Sequence, residues 1–190
     1  MGFFSRFADK IEEVNRGNAD INELDELFTM DSGEAEDDWH EMEISLVKAA
    51  VNAVDVSAER AFIFVDFSET DPKLDLFYQM NGHVVHWQDL SNADYRESIE
   101  NVVLPQAREI TETINQQFQK EDLAKIAYAE IQFEWGSQAW FGHTIYEDNE
   151  EAKLDRNEVD NEWFKLMQKK APEYALDSDE KLPWYPQVKQ

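Results

Sequence analysis

Metal or nucleophilic chemistry in this 190-residue chain would fall to its four histidines and 42 carboxylates, because there is no cysteine. That absence removes disulfides, thiolate metal ligands and a cysteine nucleophile. His83 and His86 are three residues apart in "HVVHW". This offset would suit two ligands on a helix, but on a strand it sends the rings to opposite faces, so no shared metal is expected. His40 stands among carboxylates in a run without the alternating ligands and central glycine of an EF-hand. No G-x-S-x-G elbow, phosphate loop or dinucleotide fingerprint occurs, and no serine has an evident His and Asp setting. Acids are so numerous that no pair can be singled out as a glycosidase-type dyad. Asp66, in the apolar run "AFIFVDF", is read either as a half-buried acid or as an outward or edge residue. No catalytic residue, metal or cofactor is expected.

What remains is recognition through a surface. The formal charge of -25 would repel nucleic acid and anionic membranes, which leaves basic proteins or cations as partners. Charge beside aromatic anchors could give an interface a centre, and two regions offer that. One is Tyr146 with Trp163 around Glu147, Asp148, Glu150 and Glu151; the other is Trp39 beside Glu36, Asp37 and Asp38. The first is favoured, since a hairpin end and a helix hold it, whereas the second falls in the acidic run "DSGEAEDDWHEME", expected to be solvated and mobile. The alternative for Trp163 is a place in the core, with the acids simply facing solvent.

The elements that must position these residues change period along the chain. Residues 1–41 are read as a helical and acidic accessory segment, with Phe3, Phe7, Ile11 and Val14 at helical spacing and Asp20 and Glu23 as a capping box. A helix is expected from Met42 to Val54, with Leu46, Ala49, Ala50, Ala53 and Val54 on one stripe. Strands are expected near 61–67, 74–80 and 83–88, the last two joined at Asn81-Gly82, a pair suited to a type I′ turn. Helical spacing returns from Asn92 to Phe118, and Pro105 places the well-formed helix at about 105–119. Strands near 127–135 and 138–146 form a second hairpin around "GSQ", in which Ile131, Phe133 and Trp135 alternate with a wet row of Glu130, Gln132 and Glu134. A last helix carries Val159, Trp163, Leu166 and Met167, and residues 171–190 read as a proline-stopped tail. The expected class is α+β: an antiparallel sheet of about five strands built from hairpins, with helices packed mainly on one face. No stretch approaches the roughly 18 apolar residues of a membrane span, and the composition suits a reducing cytoplasm.

From Met42 to Lys170 the order of elements resembles the YezG-like family of bacterial immunity proteins. A helix is followed by "AFIFVDFSETDPKLDLFYQMNGHVVHW", by a helix leading through "FQKEDL" into "AEIQFEWGSQAWFGHTIYED", and by the Trp-bearing "NEVDNEWFKLMQKK". The resemblance implies a small acidic protein that neutralises a co-encoded toxin, often a nuclease domain, without catalysis. The open alternatives are an acidic adaptor and an enzyme with an unrecognised site.

Overall fold

A computed structural model describes residues 35–54, 58–68, 72–177 and 180–186, with side chains from residue 38 onward. The amphipathic start and the capping box expected at Asp20 and Glu23 lie outside the described residues. The chain builds α1 (Ala35–Asn52), β1 (Arg60–Asp66), β2 (Lys73–Met80), β3 (His83–His86), α2 (Ala93–Ser98), α3 (Leu104–Lys120), β4 (Ile126–Glu134), β5 (Trp140–Tyr146) and α4 (Arg156–Lys170). The five strands form one sheet in the order β3-β2-β1-β4-β5, every neighbouring pair antiparallel. The fold is α+β, as expected.

The central strand explains the layering. All seven residues of β1 are buried, because its alternate side chains enter two cores. Ala61, Ile63 and Val65 meet α1 and α3 on one face; Phe62 and Phe64 meet α4 on the other. The two longest helices therefore share a face, while the second face is covered by α4 and the chain that follows it. Asp66, at the end of β1, is buried; it accepts from the Ser68 amide at 3.1 Å and lies 3.9 Å from Arg156 Nε. The outward or edge alternative is thus set aside.

Local chemistry fixes the first hairpin. Asn81 and Gly82 adopt φ of 51° and 77°, the left-handed pair that a two-residue turn between Met80 and His83 needs. Gly82 N–H also donates to the Glu59 carboxylate at 3.0 Å. His86 pairs with Phe77 and His83 with Met80, so the two imidazoles point to opposite faces.

Two helix starts differ from expectation. The helix expected from Met42 begins at Ala35, so the acidic run taken for a mobile loop is helical from there, and the boundary at residue 41 falls inside α1. Trp39 extends the buried stripe back from Met42 by one turn, and acids suit the positive end of a helix. Likewise the helical path does not wait for Pro105. Asn92 caps α2, and a π-turn at Ile99–Val103 widens the backbone just before the proline, whose missing N–H would leave a carbonyl unpaired.

The row expected to be wet is the largest departure. Glu130, Gln132 and Glu134 are buried under the C-terminal segment, which acts as a strap. Glu134 accepts from Asp177 N–H at 3.3 Å; Gln132 exchanges two bonds with Leu182, at 3.0 and 3.1 Å; Glu130 accepts from Tyr185 N–H at 3.1 Å. Arg60, also buried, donates to the carbonyls of Ala171 at 3.1 Å and Ala175 at 2.6 Å. Each polar side chain thus satisfies backbone groups that no strand pairs.

Candidate functional site

The strands' ends bring separate acids together. Asp66 pairs in register with Lys73 and Tyr128, and Ile126 with Tyr146, so the end of β1, the starts of β2 and β4 and the end of β5 share one end of the sheet. There the chain turns through Glu147, Asp148, Glu150 and Glu151. Glu147 N–H donates to Lys125 O at 2.8 Å, the Asn149 side chain accepts from Glu151 N–H at 3.1 Å, and Arg156 Nη1 donates to the carbonyls of Ala152 and Leu154 at 2.6 and 3.0 Å. Glu147, Asp148 and Glu150 are exposed and Glu151 half-buried, on a turn fixed by its own hydrogen bonds. The Lys125 contact brings the preceding α3–β4 turn alongside, with Glu121, Asp122 and Leu123 exposed. Leu123 and Leu154, 39% and 41% exposed, supply apolar surface at this end.

The aromatic anchors fall differently. Tyr146 is half-buried, its ring stacked 6.4 Å from Phe118, and can border the acidic turn. Trp163 is fully buried edge-on against Phe62 and Phe77, so it supports the core and presents nothing to a partner. Trp39 is buried too, edge-on to Phe67, and its indole N–H donates to Thr144 at 2.9 Å. Asp38 accepts from Gln117 of α3 at 3.1 Å, and the side chains of Glu36 and Asp37 lie outside the described residues. With both tryptophans at core positions, the region around Trp39 loses its anchor and the first region keeps only Tyr146.

A groove that the sequence did not announce lies at the same end. The register of β3 reaches only to Phe77, which leaves Lys73 to Leu76 of β2 beyond the last paired strand residue. α3 approaches this edge from one face and α4 from the other, enclosing a cavity of about 320 Å³ between them and Trp87. Its lining includes Asp66, Asp75, Asp160, Lys73, Arg108 and Arg156. Asp75 Oδ2 lies 3.3 Å from His86 Nδ1, and its other oxygen accepts from Leu76 N–H at 2.8 Å. His86 packs against Phe164, ring centres 3.8 Å apart, and its pairing with Asp75 raises its pKa above the usual value despite burial. Burial, then the nearby Asp75 charge, pushes the Asp160 carboxyl up to about 8, so it holds its proton in neutral water. The Asp160 Oδ1 atom has no hydrogen-bond partner among the described residues. The signal in the sequence was an acid at Asp75 on the same strand face as Phe77, and Asp160 one turn before Phe164; neither is decisive without the fold.

Two further acids are buried away from this end. Glu43 sits between α1 and β5, accepting from Thr144 Oγ1 at 3.4 Å with His40 Nδ1 3.4 Å away, and burial pushes its carboxyl up to about 7. Glu130 is raised well above the usual range by burial, and His143, 3.4 Å from it and stacked on Trp184, is lowered by burial. Among the described residues no three His, Asp or Glu side chains converge as metal ligands, and no helix is long and apolar enough to cross a membrane. The chain matches no protein-family model, and no curated protein matches it.

Proposed function

We propose that the chain is a non-catalytic cytoplasmic binding protein that docks a basic protein on the acidic end of its sheet, and that the partner is a toxin, a basic nuclease domain, which it neutralises. The observation carrying this reading is the ordered turn at Glu147–Glu151: its acids are displayed beside exposed Leu123 and Leu154 on backbone already fixed by hydrogen bonds. A surface ordered before contact avoids the entropy of ordering on binding, and opposite charge speeds encounter. The sequence's resemblance to immunity proteins points to the same kind of partner. An adaptor role would use the same surface, with a basic partner that is not toxic.

The test is co-expression with the product of the adjacent gene, pulldown, and a nuclease assay at low and high salt. Protection is expected, and reversing Glu147, Asp148, Glu150 and Glu151 to lysine slows association at least about tenfold at low salt. A harmless neighbour sinks the toxin reading, and unchanged association sinks the choice of face. A second reading, small-molecule chemistry, is favoured by Asp160, whose pKa is raised, set against Asp75 and His86, since an acid with a perturbed pKa in a cavity is typical of active sites. Turnover lost in Asp160→Asn would favour it.

A further inference from the structure

We propose that β5 pairs with the β5 of a second copy of this chain, antiparallel about a two-fold axis, joining the two sheets edge to edge. This goes beyond the partner-binding reading and does not rest on it.

Hydrogen-bond parity along the second hairpin is the first reason. Glu134 N–H donates to Ala139 O at 2.9 Å, and the register sets Gln132 opposite Phe141 and Glu130 opposite His143. In an antiparallel ladder alternate residues bond the same neighbour, so Ala139, Phe141 and His143 direct their backbone groups to β4. Trp140, Gly142 and Thr144 direct theirs away from it, at the rim of the sheet. Among the described residues nothing bonds those outward N–H and C=O groups; Thr144 is engaged by Trp39 and Glu43 through its hydroxyl alone. Gly142 is exposed, so the rim is open at mid-strand, where another backbone can approach closely.

The residue types along that rim are the second reason. Open edges are ordinarily guarded by charge, proline or a covering side chain. The opposite rim is guarded in these ways: β3 has only four residues, Gln168 of α4 donates to Val84 O at 3.4 Å, and the length of β2 beyond it carries Lys73 and Asp75. The strand β5, "WFGHTIY", has seven residues and no Asp, Glu, Lys, Arg or Pro, in a chain of which 31% is charged. A neutral strip of this kind is matched by a neutral strand, and β5 itself is one. A strongly basic strand would find no acid until Glu147, past the end of β5. Antiparallel pairing also manages the repulsion between two chains at -25, because each acidic turn falls beside the other copy's uncharged loop at 135–139. The two acidic turns then lie about 25 Å apart along the strands, roughly three Debye lengths in physiological salt. Joining the two β5 rims leaves only guarded edges outside, so assembly stops at two.

The test is sedimentation velocity and NMR amide exchange on the full chain at about 10 µM and about 1 mM, each in about 0.05 and about 0.3 M sodium chloride. A dimer is expected at the higher concentration, and salt should strengthen it at least about threefold, since like-charged copies repel. In the dimer the Gly142 and Thr144 amide protons should exchange at least about tenfold more slowly than in the dilute chain. Thr144→Pro removes an outward N–H that β4 does not use, so the variant should fold and remain monomeric. A monomer at about 1 mM in about 0.3 M salt, a species larger than a dimer, or a folded Thr144→Pro chain that still dimerises overturns the proposal. So do Gly142 and Thr144 amides that exchange equally fast at both concentrations, and this measurement on the native chain decides even if the variant does not fold.

Discussion

Glu43 shows how a single buried carboxyl links pH to stability. Its folded pKa of about 7 stands above the ordinary 4.5, so the folded state binds a proton that the unfolded chain has already released between those values. Stability from this group is therefore undiminished below pH 4.5, falls as pH rises through 7, and is lowest above it. The shift corresponds to at most about 3 kcal/mol. Glu43→Gln should accordingly match the native chain in urea midpoint near pH 4.5 and exceed it at pH 8; a native chain equally stable at both would show that the carboxyl is not held neutral. Gly142 belongs to the same contact, since a Cβ there would run into the Glu43 carboxylate. Gly142→Ala should cost about 1 to 2 kcal/mol by thermal unfolding, and much less when combined with Glu43→Ala, because the double change removes the group that clashes.

At the scale of elements the strap over β4 is the most consequential piece. Leu182 is buried, Trp184 stacks on His143, and the strap backbone donates hydrogen bonds to Glu130, Gln132 and Glu134. Ending the chain after residue 176 would bare those side chains and should lower stability by at least about 3 kcal/mol in denaturant unfolding. A truncated chain as stable as the whole would mean the strap only rests on the sheet. The two hairpins were legible because their information is local: Asn81-Gly82 names its turn, and alternation names the strands. The strap was not, since an alternating Glu-Gln-Glu row reads as solvent-facing unless one knows that residues about fifty positions later return to it. The start of α1 was obscured by a different conflict, in which seven acids outweighed one well-placed tryptophan. Trp163 could be core or anchor by pattern alone, and only its contacts with Phe62 and Phe77 decide. The groove was the least legible feature, because it exists where β3 stops short and two helices distant in sequence close around the gap.

For the whole molecule, charge is the dominant variable. A chain at -25 repels itself, and salt screens that repulsion, so about 0.3 M sodium chloride should raise the thermal midpoint by a few degrees. A midpoint that falls with salt would mean that attractive ion pairs outweigh the repulsion. On the proposed reading the same salt should weaken capture of the basic partner, so that folding and binding would respond in opposite directions. The strap carries a different consequence, one of timing. Chains emerge from the ribosome amino end first, so all five strands leave it before the residues that cover their second face. During that interval β4 offers water Glu130, Gln132 and Glu134, where an unbroken apolar strand would invite other nascent chains. The polar row that later grips the strap thus also keeps the unfinished sheet wettable until its cover arrives.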